Sequence, residues 1–448
     1  MFYSLKLFLK KIIPRELILA THKLRGMAAA FYFGFPAKKL RVIGVAGTKG
    51  KTTTTNLITR ILERAGHRVA MFSTANMRVV GEESLNTEKL TTPSPFFLQK
   101  FLREAVKKNC DYAVIEVSSH ALIQSRLFGI DFHKAVITNL MPDHLDYHKD
   151  ADEYRDVHLE MIGSKTEEVI INGDDEQSQN LIRQWADSPK RRDIKILSFG
   201  LKDNDELMGR NIQLSSGGVK FNVLHQGREL GEFVLNIPGK FSVYNALAAI
   251  ALGVSEAVES DIIRKALAGI SGVPGRLEKI KTSDAQDFEV IVDYAHSPDS
   301  LKNVYEAIKP YVKNRLIAVL GGTGDRDKTY RARAGALADQ FADIVIVTNE
   351  DPYSEDAESI MEQVLSGIKN KKNGENLFRI LDRREAIRKA VDLAAKNDVI
   401  LITGKGSEQF MVWGDKKIPW DDREVAREVL KGRFNPPVGG LAGEARSK

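Results

Sequence analysis

The chain reads as an α/β protein: a central P-loop-type, mainly parallel sheet domain, a C-terminal Rossmann-like α/β domain, and a short helical N-terminal segment. Three observations lead there. The apolar run Val42-Ile43-Gly44-Val45-Ala46 breaks at Gly47-Thr48-Lys49-Gly50-Lys51 and resumes with helical spacing over Thr52–Arg64. Short apolar runs then alternate with helical stretches, the pattern of βαβ units. That alternation restarts after Val273-Pro274-Gly275-Arg276, where Pro and Gly together mark a boundary. The expected division is 1–40, 41–273 and 274–434, with a Gly- and Pro-containing tail, 435–448, expected to be disordered.

Composition narrows the class. A chain of 448 residues, 43% hydrophobic and 28% charged, has core enough for two to three domains. Net charge +6 suits an anionic substrate, but no basic–aromatic stripe argues for nucleic acid. The lone Cys110 excludes an internal disulfide and a cysteine-rich zinc site, so a cytoplasmic setting is expected. No apolar run is long enough to span a membrane. Met1–Leu40 sets Lys6, Lys10, Lys11 and Arg15 among Phe2, Leu5, Leu7, Phe8, Ile12 and Ile13, without a cleavage site. Such a helix can rest on a membrane surface; packing onto its own protein is the favoured expectation.

In chain order, the glycine turn comes first. Strand, glycine turn and helix make a phosphate cradle, because glycines admit an anion to the backbone amides and the helix start adds its positive dipole end. Lys51 can reach terminal phosphates, and the Thr52 hydroxyl can bind Mg²⁺. The bound nucleotide is therefore ATP or GTP, although Val45 stands where the general motif has its first glycine. Arg68–Phe72 follows as a strand and Pro95–Lys107 as a helix, with Leu90-Thr91-Thr92-Pro93 in the polar loop between them. Strand Tyr112–Val117 ends in Glu116-Val117-Ser118-Ser119-His120; a carboxylate there calls for a cation, which Mg²⁺ would supply. Strand Ala135–Thr138 leads to His144 among acidic residues, read as a second metal ligand. Val169–Ile171 is a strand, Gly209–Leu235 a set of antiparallel hairpins, and Val243–Leu252 an alanine-rich helix carrying Asn245. Beyond the boundary, strands at Val290–Asp293, Leu316–Leu320, Ile344–Thr348 and Val399–Thr403 each end in a polar loop, so one edge of the second sheet is a built surface.

Taken together, Gly47-Thr48-Lys49-Gly50-Lys51-Thr52-Thr53, Glu116-Val117-Ser118-Ser119-His120, Thr138-Asn139-Leu140 with Asp143-His144-Leu145-Asp146, Gly275-Arg276, Asp293-Tyr294-Ala295-His296-Ser297-Pro298 and Gly404-Lys405-Gly406 resemble, in order, the Mur ligases. Within that family the resemblance is to members that add the third residue of the peptidoglycan stem. It implies ATP-dependent amide synthesis through an acyl phosphate, joining a UDP-muramoyl-dipeptide to a free amino acid in a monomeric enzyme. It implies catalytic roles for Lys51, Glu116 and His144, Mg²⁺ on Thr52 and Glu116, and a second metal on His144. Gly47–Thr53, Asn245, Arg276, Asp293, Tyr294, His296 and Arg326 would face ATP. Thr91, Thr92, Ser118, Ser119 and Arg126 would hold the muramoyl peptide, and Asp351, Tyr353, Gly404 and Glu408 the incoming amino acid.

Three departures qualify the resemblance. His158 stands where the family has a carbamylated lysine, and is read either as a metal ligand or as an ordinary helix residue. Glu350-Asp351-Pro352-Tyr353 replaces Asp-Asn-Pro-Arg, removing an arginine clamp, so the acceptor is expected to be another diamino acid or diaminopimelate held differently. About forty residues precede the cradle, where the family has a UDP-binding domain of ~100. The alternatives are a folylpolyglutamate-type or poly-amino-acid ligase, and a non-catalytic nucleotide-binding protein.

Overall fold

The computed structural model describes residues 14–88, 90–141, 147–188 and 194–434, which fall into two compact units meeting in sequence at Val273/Pro274. His144 and its flanking residues 142–146, the basic stretch 1–13 and the tail 435–448 lie outside the described residues.

The first unit is organised on strands β1 (Arg41–Ala46), β2 (Val69–Phe72), β3 (Asn76–Val79), β4 (Glu82–Leu85), β5 (Tyr112–Glu116), β6 (Lys134–Ile137), β7 (Glu168–Asn172), β8 (Lys195–Gly200), β9 (Leu207–Ser215), β10 (Gly218–His225) and β11 (Arg228–Leu235). They form one sheet in the order β11-β10-β9-β8-β7-β6-β1-β5-β2-β3-β4. From β2 to β9 across the centre every pairing is parallel, and the hairpins predicted over Gly209–Leu235 extend the same sheet through the parallel β8–β9 pair. Alternation along the strands divides the core. In β1, Ile43 and Val45 face the helices Lys51–Arg64 and Lys240–Ser255, while Val42 and Ala46 face the side that carries Leu98 and Leu102 of Pro95–Lys107. The adjacency β6-β1-β5-β2 matters most, because it sets the loops after four parallel strands side by side at one sheet edge.

The second unit holds β12 (Glu278–Lys279), β13 (Glu289–Asp293), β14 (Leu316–Leu320), β15 (Ile344–Val347), β16 (Leu377–Arg379) and β17 (Val399–Thr403), ordered β12-β13-β17-β14-β15-β16. All pairings but β12–β13 are parallel, and the central strands β14, β15 and β17 are buried on both faces, hence their apolar Val/Ile/Leu-rich runs. A separate hairpin, β18 (Phe410–Trp413) with β19 (Lys416–Pro419), follows.

Candidate active site

The cradle's conformation depends on two glycines. Gly47 has φ +130°, and a Cβ there would lie 2.3 Å from Thr138 Oγ1. Gly50 has φ +82°, caps the helix Lys51–Arg64, and would drive a Cβ to 2.1 Å from Asn245 Oδ1. Asn245 thus lies directly against the turn, brought there by the buried helix Lys240–Ser255. The loop after β6 braces the cradle: Asn139 Oδ1 accepts from Lys49 N at 3.0 Å, and Thr138 Oγ1 donates to Lys49 O at 2.6 Å. Thr48 Oγ1 meets Tyr154 OH at 2.8 Å. The Lys51 ammonium donates to Gly47 O (2.8 Å) and Thr48 O (3.0 Å), so it rests on the rim of its own turn.

Glu116, the last residue of β5, is 1% exposed. Its Oε1 accepts from Thr52 Oγ1 (3.1 Å) and Thr74 Oγ1 (2.9 Å), and its Oε2 from Thr74 N (2.6 Å). All are neutral donors, and no ion pair to Glu116 occurs among the described residues. A buried carboxylate satisfied only by neutral groups beside a phosphate cradle fits a divalent cation, since Mg²⁺ takes one or two protein oxygens and completes its shell with phosphate and water. No group of three His, Cys, Asp or Glu suited to a metal occurs among the described residues. Thr74 carried no sequence signal; it is found because β2 neighbours β5.

The residues read as peptide-binding line the same edge. Thr91 Oγ1 donates to Thr74 Oγ1 (3.1 Å), whose own proton goes to Glu116; Thr92 Oγ1 donates to Glu116 O (2.9 Å) and accepts from Ser118 N (3.0 Å), and Arg126 donates to Thr92 O (2.7 Å). Ser118 caps the short helix Ser119–Ile123, and Ser119 Oγ meets His148 Nε2 at 3.0 Å. Burial pulls the Arg126 guanidinium below its ordinary range.

His158 is wholly buried, and burial lowers its imidazole to about 4, with the Lys51 charge adding to the effect. Its Nδ1 faces the carbonyls of Tyr154 (2.9 Å) and Arg155 (3.2 Å). A carbonyl only accepts, so Nδ1 carries the proton and Nε2 the lone pair, and Nε2 has no hydrogen-bond partner among the described residues. A neutral nitrogen donor near Lys51 fits a metal or a water bound to one.

In the second unit, Asp293 accepts from Leu277 N and Ala295 N, both at 2.7 Å, so its carboxylate ties β13 to the segment after the boundary. Arg276 stacks over the Tyr294 ring at 4.3 Å, and His296 donates to Tyr294 O at 2.9 Å. Arg326 is exposed, and its charge acts on the phenols of Tyr294 and Tyr353. At the ends of β15 and β17, the buried Lys405 ammonium joins Asp351 (2.8 Å) and Glu408 (2.5 Å), while Tyr353 N donates to Val412 O (3.3 Å). Gly404 has φ +111°, and a Cβ there would meet Glu350 Oε2 at 2.4 Å.

Glu350 opens the Glu350–Tyr353 stretch, and nothing in the sequence gives it a role. It is buried, with Thr323 Oγ1 donating to it at 2.8 Å, and burial pushes its carboxyl up to about 7; Arg383 and Lys405 pull it down, Asp351 up. A carboxyl raised on folding contributes stability that is complete below about pH 4.5 and lost as pH rises to about 7. At 1.36 kcal/mol per unit this is roughly 3 kcal/mol. Glu350→Gln is expected to flatten the melting temperature between pH 4.5 and 8 and to raise it at pH 8; an unchanged slope would assign the pH dependence elsewhere.

Comparison with known proteins agrees with this geometry. Residues 45–253 match the Mur ligase middle domain and residues 275–406 the Mur ligase glutamate ligase domain. The UDP-N-acetylmuramoyl-L-alanyl-D-glutamate–2,6-diaminopimelate ligase of Syntrophomonas wolfei is 40% identical over 417 residues, covering 92% of this chain and 83% of that protein. A solved structure of a ligase of the same name superposes with a TM-score of 0.62 at 30% identity, over 88% of this chain and 79% of that one. A Mycobacterium tuberculosis folylpolyglutamate synthase shares the fold at a TM-score of 0.71 and 18% identity, over 92% and 95% of the two chains. With its cradle, its Glu116 and both domain matches in place, this chain belongs to the Mur ligase family of ATP-dependent acid–amino-acid ligases.

Proposed function

We propose that the enzyme joins an amino acid, a diamino acid, to UDP-N-acetylmuramoyl-L-alanyl-D-glutamate in the synthesis of a peptidoglycan precursor, releasing ADP and phosphate, as a cytoplasmic monomer. The observation that carries this reading is Glu116, whose side chain belongs to the cradle and whose backbone carbonyl belongs to Thr92. The nucleotide end and the peptide-binding end therefore share one residue. A carboxylate is a poor acylating agent, so the γ-phosphoryl group passes to it first, and the amine then displaces phosphate from the acyl phosphate. Lys51 neutralises the approach of two anions, and the cradle amides orient the phosphates. Thr52 and Glu116 would hold Mg²⁺, which supplies further charge neutralisation, and His158 Nε2 offers a neutral donor on the same side. His144 keeps its proposed role as a second ligand on the motif alone.

On the acceptor side, Asp351 and Glu408 outnumber Lys405, a balance that suits an ammonium group. Tyr353 cannot clamp a carboxylate bidentately, and Arg326 and Lys405 are cations whose charges reach it. When lysine and diaminopimelate compete with ATP and the UDP-muramoyl dipeptide, mass spectrometry is expected to find both products within about tenfold of each other. Tyr353→Arg should shift the ratio toward diaminopimelate by about tenfold, the worth of one charge-assisted pair. A strong diaminopimelate preference in the unaltered enzyme would mean that Arg326 or another cation already supplies the clamp. A product of neither mass would overturn the substrate assignment.

A further inference from the structure

The helix Arg15–Phe33 is apolar on two faces. Gly26, Ala29 and Ala30 are buried, and a Cβ on Gly26 would lie 2.4 Å from Ser125 O, so this face packs closely on the first unit. On the other side Leu17, Ala20, Leu24, Ala28 and Phe31 recur every three or four residues, and all are exposed. Leu24 is 63% and Phe31 66% exposed. Tyr32 (73%) and Phe96 (43%), their rings 6.4 Å apart, widen the patch at its C-terminal end. At 100° per residue Lys23 and Arg25 fall on opposite flanks of the stripe. Single exposed apolar residues are ordinary; a continuous stripe of this length marks an occupant.

Charge identifies the occupant. Residues 1–40 carry eight lysines and arginines against one acid, Glu16, a net +7. The whole chain is +6, so the other 408 residues sum to −1. The entire positive excess of the sequence thus falls within the segment that contains the apolar stripe. Among the described residues, 14–40 carry five cations against Glu16, so a second copy seated on the same face would bring two basic segments together, which disfavours self-association. An anionic lipid surface accepts both features: acyl chains take the leucines and Phe31, the interface takes Tyr32 and Phe96, and the headgroups take the cations. No helix among the described residues is long and apolar enough to cross a membrane, so the helix would lie in the plane of the interface.

We infer that the Arg15–Phe33 helix docks the enzyme reversibly on an anionic bilayer surface through its Leu17–Phe31 stripe. The site chemistry plays no part in this surface, so the inference stands apart from the substrate assignment. The test is co-sedimentation of the full chain with phosphatidylcholine vesicles, with and without phosphatidylglycerol. Partitioning should rise at least about tenfold with the anionic lipid and fall again at high salt. Leu24→Glu/Phe31→Glu should lower it at least about tenfold while leaving the melting temperature and ADP release in solution unchanged. Absence of vesicle binding, equal binding by the variant, or a dimer in buffer that the variant dissolves would each overturn the inference; the last would make the occupant a second copy.

Discussion

Lys51→Ala removes ligation and ADP release by a factor of at least about 10³, while the melting temperature moves by no more than about 2 °C. The two halves of this expectation have separate physical grounds. The Lys51 ammonium donates to Gly47 O and Thr48 O through bonds that are only partly buried, because Lys51 itself is half-buried. Water can replace those bonds, so the cost to folding is about 1 kcal/mol or less. In the reaction the same ammonium faces a polyphosphate and a carboxylate that repel each other. Losing one fixed cation at that point costs about 4 kcal/mol of barrier, which is the factor of 10³. Lys51→Arg should restore little, because a planar guanidinium fork does not reproduce the compact ammonium that meets both turn carbonyls. Measured by coupled ADP release and by thermal melting, turnover near the unaltered rate would remove Lys51 from the mechanism.

How far the site was legible follows from where each residue's job resides. Gly47, Gly50, Lys51 and Thr52 act through backbone shape and reach along a few consecutive residues, and these spacings are visible in one dimension. Glu116 was legible because a carboxylate ending an apolar strand conflicts with its surroundings. Thr74 was not, since its partner is 42 residues away and only the β2–β5 pairing joins them. The β3–β4 hairpin escaped for a related reason: Asn76–Val79 and Glu82–Leu85 form an outer edge with little apolar alternation. His158 was placed by motif spacing, but its neutral state and proton position depend on burial and on two carbonyls one helical turn back. Asp293 shows the opposite limit. Its motif points to a ligand, and no spacing reveals the two backbone amides from which its oxygens also accept.

The second large effect falls on a pair with no sequence signature at all. Arg383 and Asp422 are both fully buried and meet at 2.6 and 2.8 Å. Burial alone would pull the guanidinium down, yet Asp422 holds it above its ordinary range. Arg383 also donates to Asn349 O (3.2 Å) and Thr403 O (2.7 Å), the carbonyls from which the Glu350–Tyr353 and Gly404–Glu408 loops depart. Arg383→Met is therefore expected to destabilise the second unit by about 3–5 kcal/mol, because Asp422 is left charged and buried with, among the described residues, only the neutral Trp420 Nε1 donating to it. Arg383→Met/Asp422→Leu should recover part of that loss, as an apolar pair tolerates the site, but not all, since two carbonyls still lack their donor. Enough double variant should fold to measure a raised KM for the amino acid with a smaller change for ATP, because the loops it frees carry Asp351, Tyr353 and Glu408. Full recovery of stability with an unaltered amino-acid KM would show that the buried pair neither anchors those loops nor limits the fold, and would leave its burial without a function.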